Sequence, residues 1–136
     1  MHALPASVPV RRFPARLAFG LLALLLAILL TATLIGPGGG GWQALAFALA
    51  PDLALFVGFA PGLAQGQIHP RAVPLYNALH HAAGPLLLGT AALLWLGVPW
   101  QAAALAWGVH IAFDRAAGYG PRTPEGFQRA EPTQHV

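Results

Sequence analysis

His110 and Asp114 stand four residues apart near the end of an apolar run. On a helix that spacing puts them on one face. An imidazole and a carboxylate side by side can hold a zinc-like metal, pass a proton, or pair with each other. Two further apolar runs carry groups of the same kind. Asp52 directly follows Pro51, and Tyr76, Asn77, His80 and His81 open a third run. Tyr76 is four residues before His80, as Asn77 is before His81. Arg115 and Tyr119 follow Asp114. Ionisable groups in lipid-crossing segments are costly and mark a functional site by default.

Asp52, one of His80 and His81, His110 and Asp114 form a ligand set for one divalent ion such as Zn. With a spare carboxylate or imidazole as base, that set would suit hydrolysis of a lipid-like substrate near the cytoplasmic face. The same residues also suit a hydrogen-bonded polar core that only fixes helix packing, with Asp52 or Asp114 paired to His or to Arg115. A proton relay in a small transporter is a third use. Arg115 and Tyr119 have a plain reading as interfacial anchors. His2, His69 and His135 read as solvated. Cysteine is absent, which excludes disulfides, thiolate sites and Cys nucleophiles. No phosphate loop or serine elbow occurs.

The elements that carry these groups follow from composition. The 136 residues are 57% hydrophobic and 8% charged, with a mean hydropathy of +0.61. Soluble domains carry roughly 25% charged residues. So little charge cannot cover a water-facing surface, and the membrane class follows. Residues 1–15 are an arm with Pro5, Pro9 and Pro14. Leu17 to Ile35 is a 19-residue run without charge, close to the roughly 20 residues that cross a bilayer. A signal peptide is the competing reading; the length of the run and the spans that follow it favour a membrane helix. A glycine-rich turn, 36–41, leads to a second span from Trp42 to about Ala60. A loop over 61–73 leads to a third from Pro74 to about Gly97, and the fourth runs from Trp100 to about Ala117, ended by Gly118 and Gly120. The expected fold is all-α, a bundle of four transmembrane helices over 16–120, with a cytoplasmic arm, 1–15, and a cytoplasmic tail, 121–136. Pro51 and Pro85 should kink their helices by freeing the carbonyls of Phe47 and His81. The first span, with only Thr31 and Thr33, reads as a lipid-facing brace.

All seven arginines lie on or beside one side of that arrangement, and lysine is absent. The positive-inside rule then places both termini in the cytoplasm. Trp42, Trp95 and Trp100 fall at the outer interface, and Tyr76 and Tyr119 at the inner one. The arginines flank apolar runs, so they argue for topology and against nucleic acid. Trp42-Gln-Ala opens the second span and Trp100-Gln-Ala the fourth, and ten residues later stand Asp52 and His110. Equal rise per residue puts these two at one depth, near the midplane, with the paired histidines about 10 Å in from the cytoplasmic face. Asp52, Asn77, His80, His110 and Asp114 should share one interior pocket. Ala104-x3-Gly108 offers a small-residue face for a homodimer.

Several stretches resemble the small bacterial membrane family known as domain of unknown function 4260. They are Ala50-Pro51-Asp52-Leu53, Tyr76-Asn77-Ala78-Leu79-His80, the run from His110 to Gly120, and Thr123-Pro-Glu-Gly-Phe127. The resemblance covers roughly 17–129, favours His80 over His81, and implies a multi-pass protein of the bacterial inner membrane. Pro121 stands where the family has an aliphatic residue.

Overall fold

The computed structural model describes residues 12–128. Five α-helices follow in order: α1 (Arg12–Ile35), α2 (Gly41–Val57), α3 (Val73–Leu79), α4 (Ala83–Ala91) and α5 (Val98–Ala117). A 3₁₀ turn, Pro70–Ala72, leads into α3, and one π turn, Ala92–Leu96, closes α4. Among the described residues there is no strand, and one isolated antiparallel bridge joins Arg122 to Gln128. The all-α expectation therefore holds. One helical stretch, Pro14–Ile35, is by itself long and apolar enough to cross a membrane; the α3–α4 pair passes as a second, bent by 45°.

α5 is the central element. Its Ala102, Ala103 and Ala106 are at most 2% exposed, because small side chains let neighbouring backbones come close. α2 lies along it in the same direction. Ala44 packs with Ala102 and Ala106, and a side chain at Gly40 would run into Pro99 and Ala102. That close approach, with φ of 109° at Gly40, requires glycine in the turn before α2. The two Trp-Gln-Ala openings are thus in register in space.

α1 runs antiparallel to α5 and does more than brace it. Arg16 donates through Nε to the carbonyl of Ala116 (3.1 Å) and through Nη2 to that of Ala117. These are carbonyls that a helix end leaves unpaired, so the arginine caps α5. Gly118, with φ of 97°, ends the helix as expected. Thr31 and Thr33 bond back to the carbonyls of Ala27 and Leu29 in their own helix. The small-residue face Ala104-x3-Gly108 is used within the chain: Ala104 sits against Gly89 of α4, and a side chain at Gly108 would meet Leu26 of α1.

Two boundaries differ from expectation. α2 ends at Val57, not near Ala60. Gly58 closes it by donating to Ala54 and Leu55, and Ile68 fills the space where a larger residue would stand. The third apolar run is not one helix. It breaks at His80–Ala82, five residues before Pro85, which falls in the first turn of α4, where a missing N–H costs nothing. Pro51 leaves α2 a single helix and is fully buried.

Residues 121–128, the first part of the expected cytoplasmic tail, fold back over the 58–69 loop. Ile68 N–H donates to Gly126 at 3.0 Å, and Gln67 Nε2 donates to the Glu125 carbonyl at 2.8 Å. The arm before residue 12 and the tail after 128, with His2 and His135, lie outside the described residues. Tyr76, expected in an interfacial belt, is buried at 3% exposure. Trp100 meets the edge of Phe47, with ring centres 6.1 Å apart. Trp42, Trp95 and Tyr119 are exposed.

Candidate metal centre

The break between α3 and α4 positions His80. Where the helix stops, carbonyls lose their partners, and α5 supplies them. Trp107 Nε1 donates to the Leu79 carbonyl at 2.8 Å, and Arg115 Nη2 donates to the His80 carbonyl at 3.2 Å. His80 is thereby fixed to α5 just beyond the end of α3, and it is 3% exposed. Its Nδ1 lies 2.8 Å from the Tyr76 carbonyl. His110 is held in the same way by another helix: its Nδ1 lies 2.8 Å from the carbonyl of Ala48 on α2.

A carbonyl only accepts, so each Nδ1 carries the proton and each neutral ring presents a bare lone pair at Nε2. Both Nε2 atoms are buried without a hydrogen-bond partner among the described residues. They point at the chain's only two aspartates. His80 Nε2 stands 3.4 Å from Asp114 Oδ2 and 3.8 Å from Asp52 Oδ1. His110 Nε2 stands 3.5 Å from Asp114 Oδ2 and 3.6 Å from Asp52 Oδ1. The imidazole rings cross at 62° with centres 5.4 Å apart. Ligand atoms of Asp52, His80 and His110 all fall within 4.8 Å of one another. Lone pairs facing carboxylate oxygens repel unless positive charge lies between them. Either a metal ion or a proton on each Nε2 satisfies this group.

A ring held from behind in this way is what a metal-ligating histidine needs. A hydrogen bond from the far nitrogen fixes tautomer and ring plane. The group is closed on three sides and open on one: the Asp52 side chain is 51% exposed, against 3% for His80, 13% for His110 and 20% for Asp114.

The other expected residues go elsewhere. Asn77 does not reach the histidines. Its amide donates to the Arg122 carbonyl (3.1 Å), and its Oδ1 accepts from the Arg122 N–H (2.7 Å). His81 is exposed and accepts from the Ala83 N–H, capping α4. Arg115 serves the His80 carbonyl instead of an aspartate. Tyr119 is exposed. His69, half-buried, accepts from the Arg71 N–H at the 3₁₀ turn. Tyr76 does belong to the site's wall, stacked on His80 with ring centres 3.9 Å apart. Sequence reasoning missed Trp107, whose buried indole N–H requires an acceptor, and Arg122.

None of the curated proteins matches this chain, and no solved structure does. A family model described as Domain of unknown function (DUF4260) matches residues 17–132, a span that contains every residue of the centre, and the chain belongs to that family.

Proposed function

We propose that this chain is a four-span protein of the cytoplasmic membrane, both termini cytoplasmic, that holds one divalent, zinc-like ion between Asp52, His80, His110 and Asp114. The membrane reading draws on an inverted distribution of side chains. Alanines fill the core, while Leu24, Phe56, Leu86, Leu93 and Phe113 face outward, the reverse of a water-soluble domain. α2 and α5, with 17 and 20 residues, fall in the length range of about 17–25 that spans hydrocarbon. The arginines supply the orientation.

The metal reading is carried by one observation: two buried Nε2 atoms without partners, each on a ring pinned through Nδ1 to a carbonyl. Bonds of about 2.0–2.1 Å in a tetrahedron set neighbouring ligand atoms about 3.3–3.4 Å apart. The four nitrogen–oxygen separations, 3.4 to 3.8 Å, are that spacing or a few tenths wider; Asp52, His80 and His110 are the three in mutual reach, and Asp114, outside that set, would turn toward the ion to complete the tetrahedron.

A bound zinc-like ion brings the pKa of its water near 7. For hydrolysis the fourth position would pass from Asp52, the most exposed of the four, to water, and Asp52 beside it would then take the proton. An apolar groove of about 440 Å³ between α1, α2 and α5, lined by Leu30, Leu34, Leu45 and Phe113, has His110 in its wall. This favours a lipid-like amphiphile as the substrate. Purified protein with Zn²⁺ in mixed phospholipid vesicles should release cleaved lipid, detected by mass spectrometry, and Asp52→Asn should stop the release. Equal product with and without protein ends the hydrolytic part.

The second reading is an accessory membrane protein with a structural core. The same separations fit two imidazolium–carboxylate pairs within 4 Å, which would tie α2, α3 and α5 together without metal.

A further inference from the structure

We infer that Arg122 is a positioning residue for the metal centre, acting through the Tyr76 ring on the imidazole of His80. The inference rests on the metal reading of that centre.

His80 sits at a helix end, where φ of −98° and ψ of 12° leave the α3 path. On the α5 side the ring meets His110 and Asp114; on the α3 side two groups set it, and both belong to Tyr76: the carbonyl that accepts from Nδ1 and the phenol ring, which lies nearly parallel at 19°. Whatever fixes Tyr76 therefore fixes the direction of the His80 Nε2 lone pair.

Arg122 holds the Tyr76 ring together with the apolar cluster of Ala54, Ile68, Ala72 and Val73. Its guanidinium carbon lies over the Tyr76 ring, 4.8 Å from the centre, a distance at which a cation and an aromatic face attract. The arginine is itself clamped. Nη1 donates to the carbonyls of Gly66 and Gly126, both at 2.9 Å, and its backbone is paired both ways with the Asn77 side chain, one residue from Tyr76. Arg122 is 7% exposed. Burying a guanidinium is costly unless its donors are met, and here Nε stays without a partner. A mere loop fastener would not need a buried cation on the face of this ring. The stack also accounts for Asn77, which anchors the arginine and never touches the histidines.

The expected effect is on the metal, not only on the fold. Loss of an outer partner of a metal-binding histidine weakens binding about 10–100-fold. The test uses full-length protein in detergent and Co²⁺ alone as the probe, read by its visible d–d bands and by equilibrium titration. Wild type should bind one equivalent. Tyr76→Phe, which keeps the stack, should match it in affinity and spectrum. Tyr76→Leu and Arg122→Gln should weaken binding at least tenfold and alter the bands. Asn77→Ala, which loosens the anchor without removing any group that touches His80, should do the same to a smaller degree and covers the case in which Arg122→Gln fails to fold. If folded Arg122→Gln, or folded Asn77→Ala in its place, binds Co²⁺ with the wild-type constant and spectrum, the positioning role is overturned while the metal reading stands. If wild type itself takes up no Co²⁺, the metal reading falls and this role falls with it.

Discussion

Nδ1 of His110 lies 2.8 Å from the main-chain carbonyl oxygen of Ala48, joining α5 to α2 one turn before Asp52. The bond sets helix register and imidazole tautomer together. Asparagine at this position could still donate to Ala48, but its side chain places no ligand atom where Nε2 stands, and its amide oxygen is a weak ligand for zinc. His110→Asn should therefore melt near the wild-type temperature without metal and gain nothing when Zn²⁺ is added. Wild type should gain about 2.7 kcal/mol at a hundredfold excess over Kd. Thermal unfolding in matched detergent measures both; equal stabilisation of the two proteins contradicts the assignment of His110 as a ligand.

Proton competition gives a second expectation. Metal binding needs the Nε2 lone pairs of His80 and His110, and protonation removes them. Zn²⁺ affinity should fall as pH drops, by up to about a hundredfold per pH unit when both rings compete. Calorimetric titration at three pH values follows this, and a flat profile down to pH 5 would speak against imidazole ligation.

The break that presents His80 depends on Trp107. Its indole bonds the Leu79 carbonyl, and Gly84 lies against the ring so closely that an added Cβ would overlap it. Gly84→Ala should destabilise the protein by about 1–3 kcal/mol through overpacking. Trp107→Phe should cost a similar amount, about 1–3 kcal/mol, by leaving a buried carbonyl unpaired. Chemical unfolding in detergent reads both losses, and wild-type stability of Gly84→Ala would contradict this packing.

For topology, reporter fusions at Gly39 and after Val98 should report the outside and one at Gly66 the cytoplasm. A cytoplasmic signal at either of the first two positions removes the four-span reading.

Much of the centre was legible because helical rise is constant. Asp52 and His110 each follow a Trp-Gln-Ala opening by ten residues, and parallel packing of α2 on α5 turns that count into a 3.6 Å contact. His110 and Asp114 needed only the four-residue spacing. The choice of His80 over His81 depends on where α3 stops, and no glycine or proline stands at that point. The sequence signal pointed to Pro85, which is harmless in a first turn. Arg122 was hidden by its resemblance to every other arginine beside an apolar run, and Asn77 by its spacing to His81. Their shared role comes from a chain reversal that no local pattern encodes.

The central claim is a bound ion, and elemental analysis of protein purified without chelator addresses it directly. Wild type should carry close to one equivalent of a divalent metal per chain. His80→Ala, His110→Ala and Asp114→Ala, each still inserted in the membrane and recovered in the same detergent, should carry a small fraction of that. Wild-type protein without stoichiometric metal, or with metal that survives all three substitutions, would contradict the metal centre.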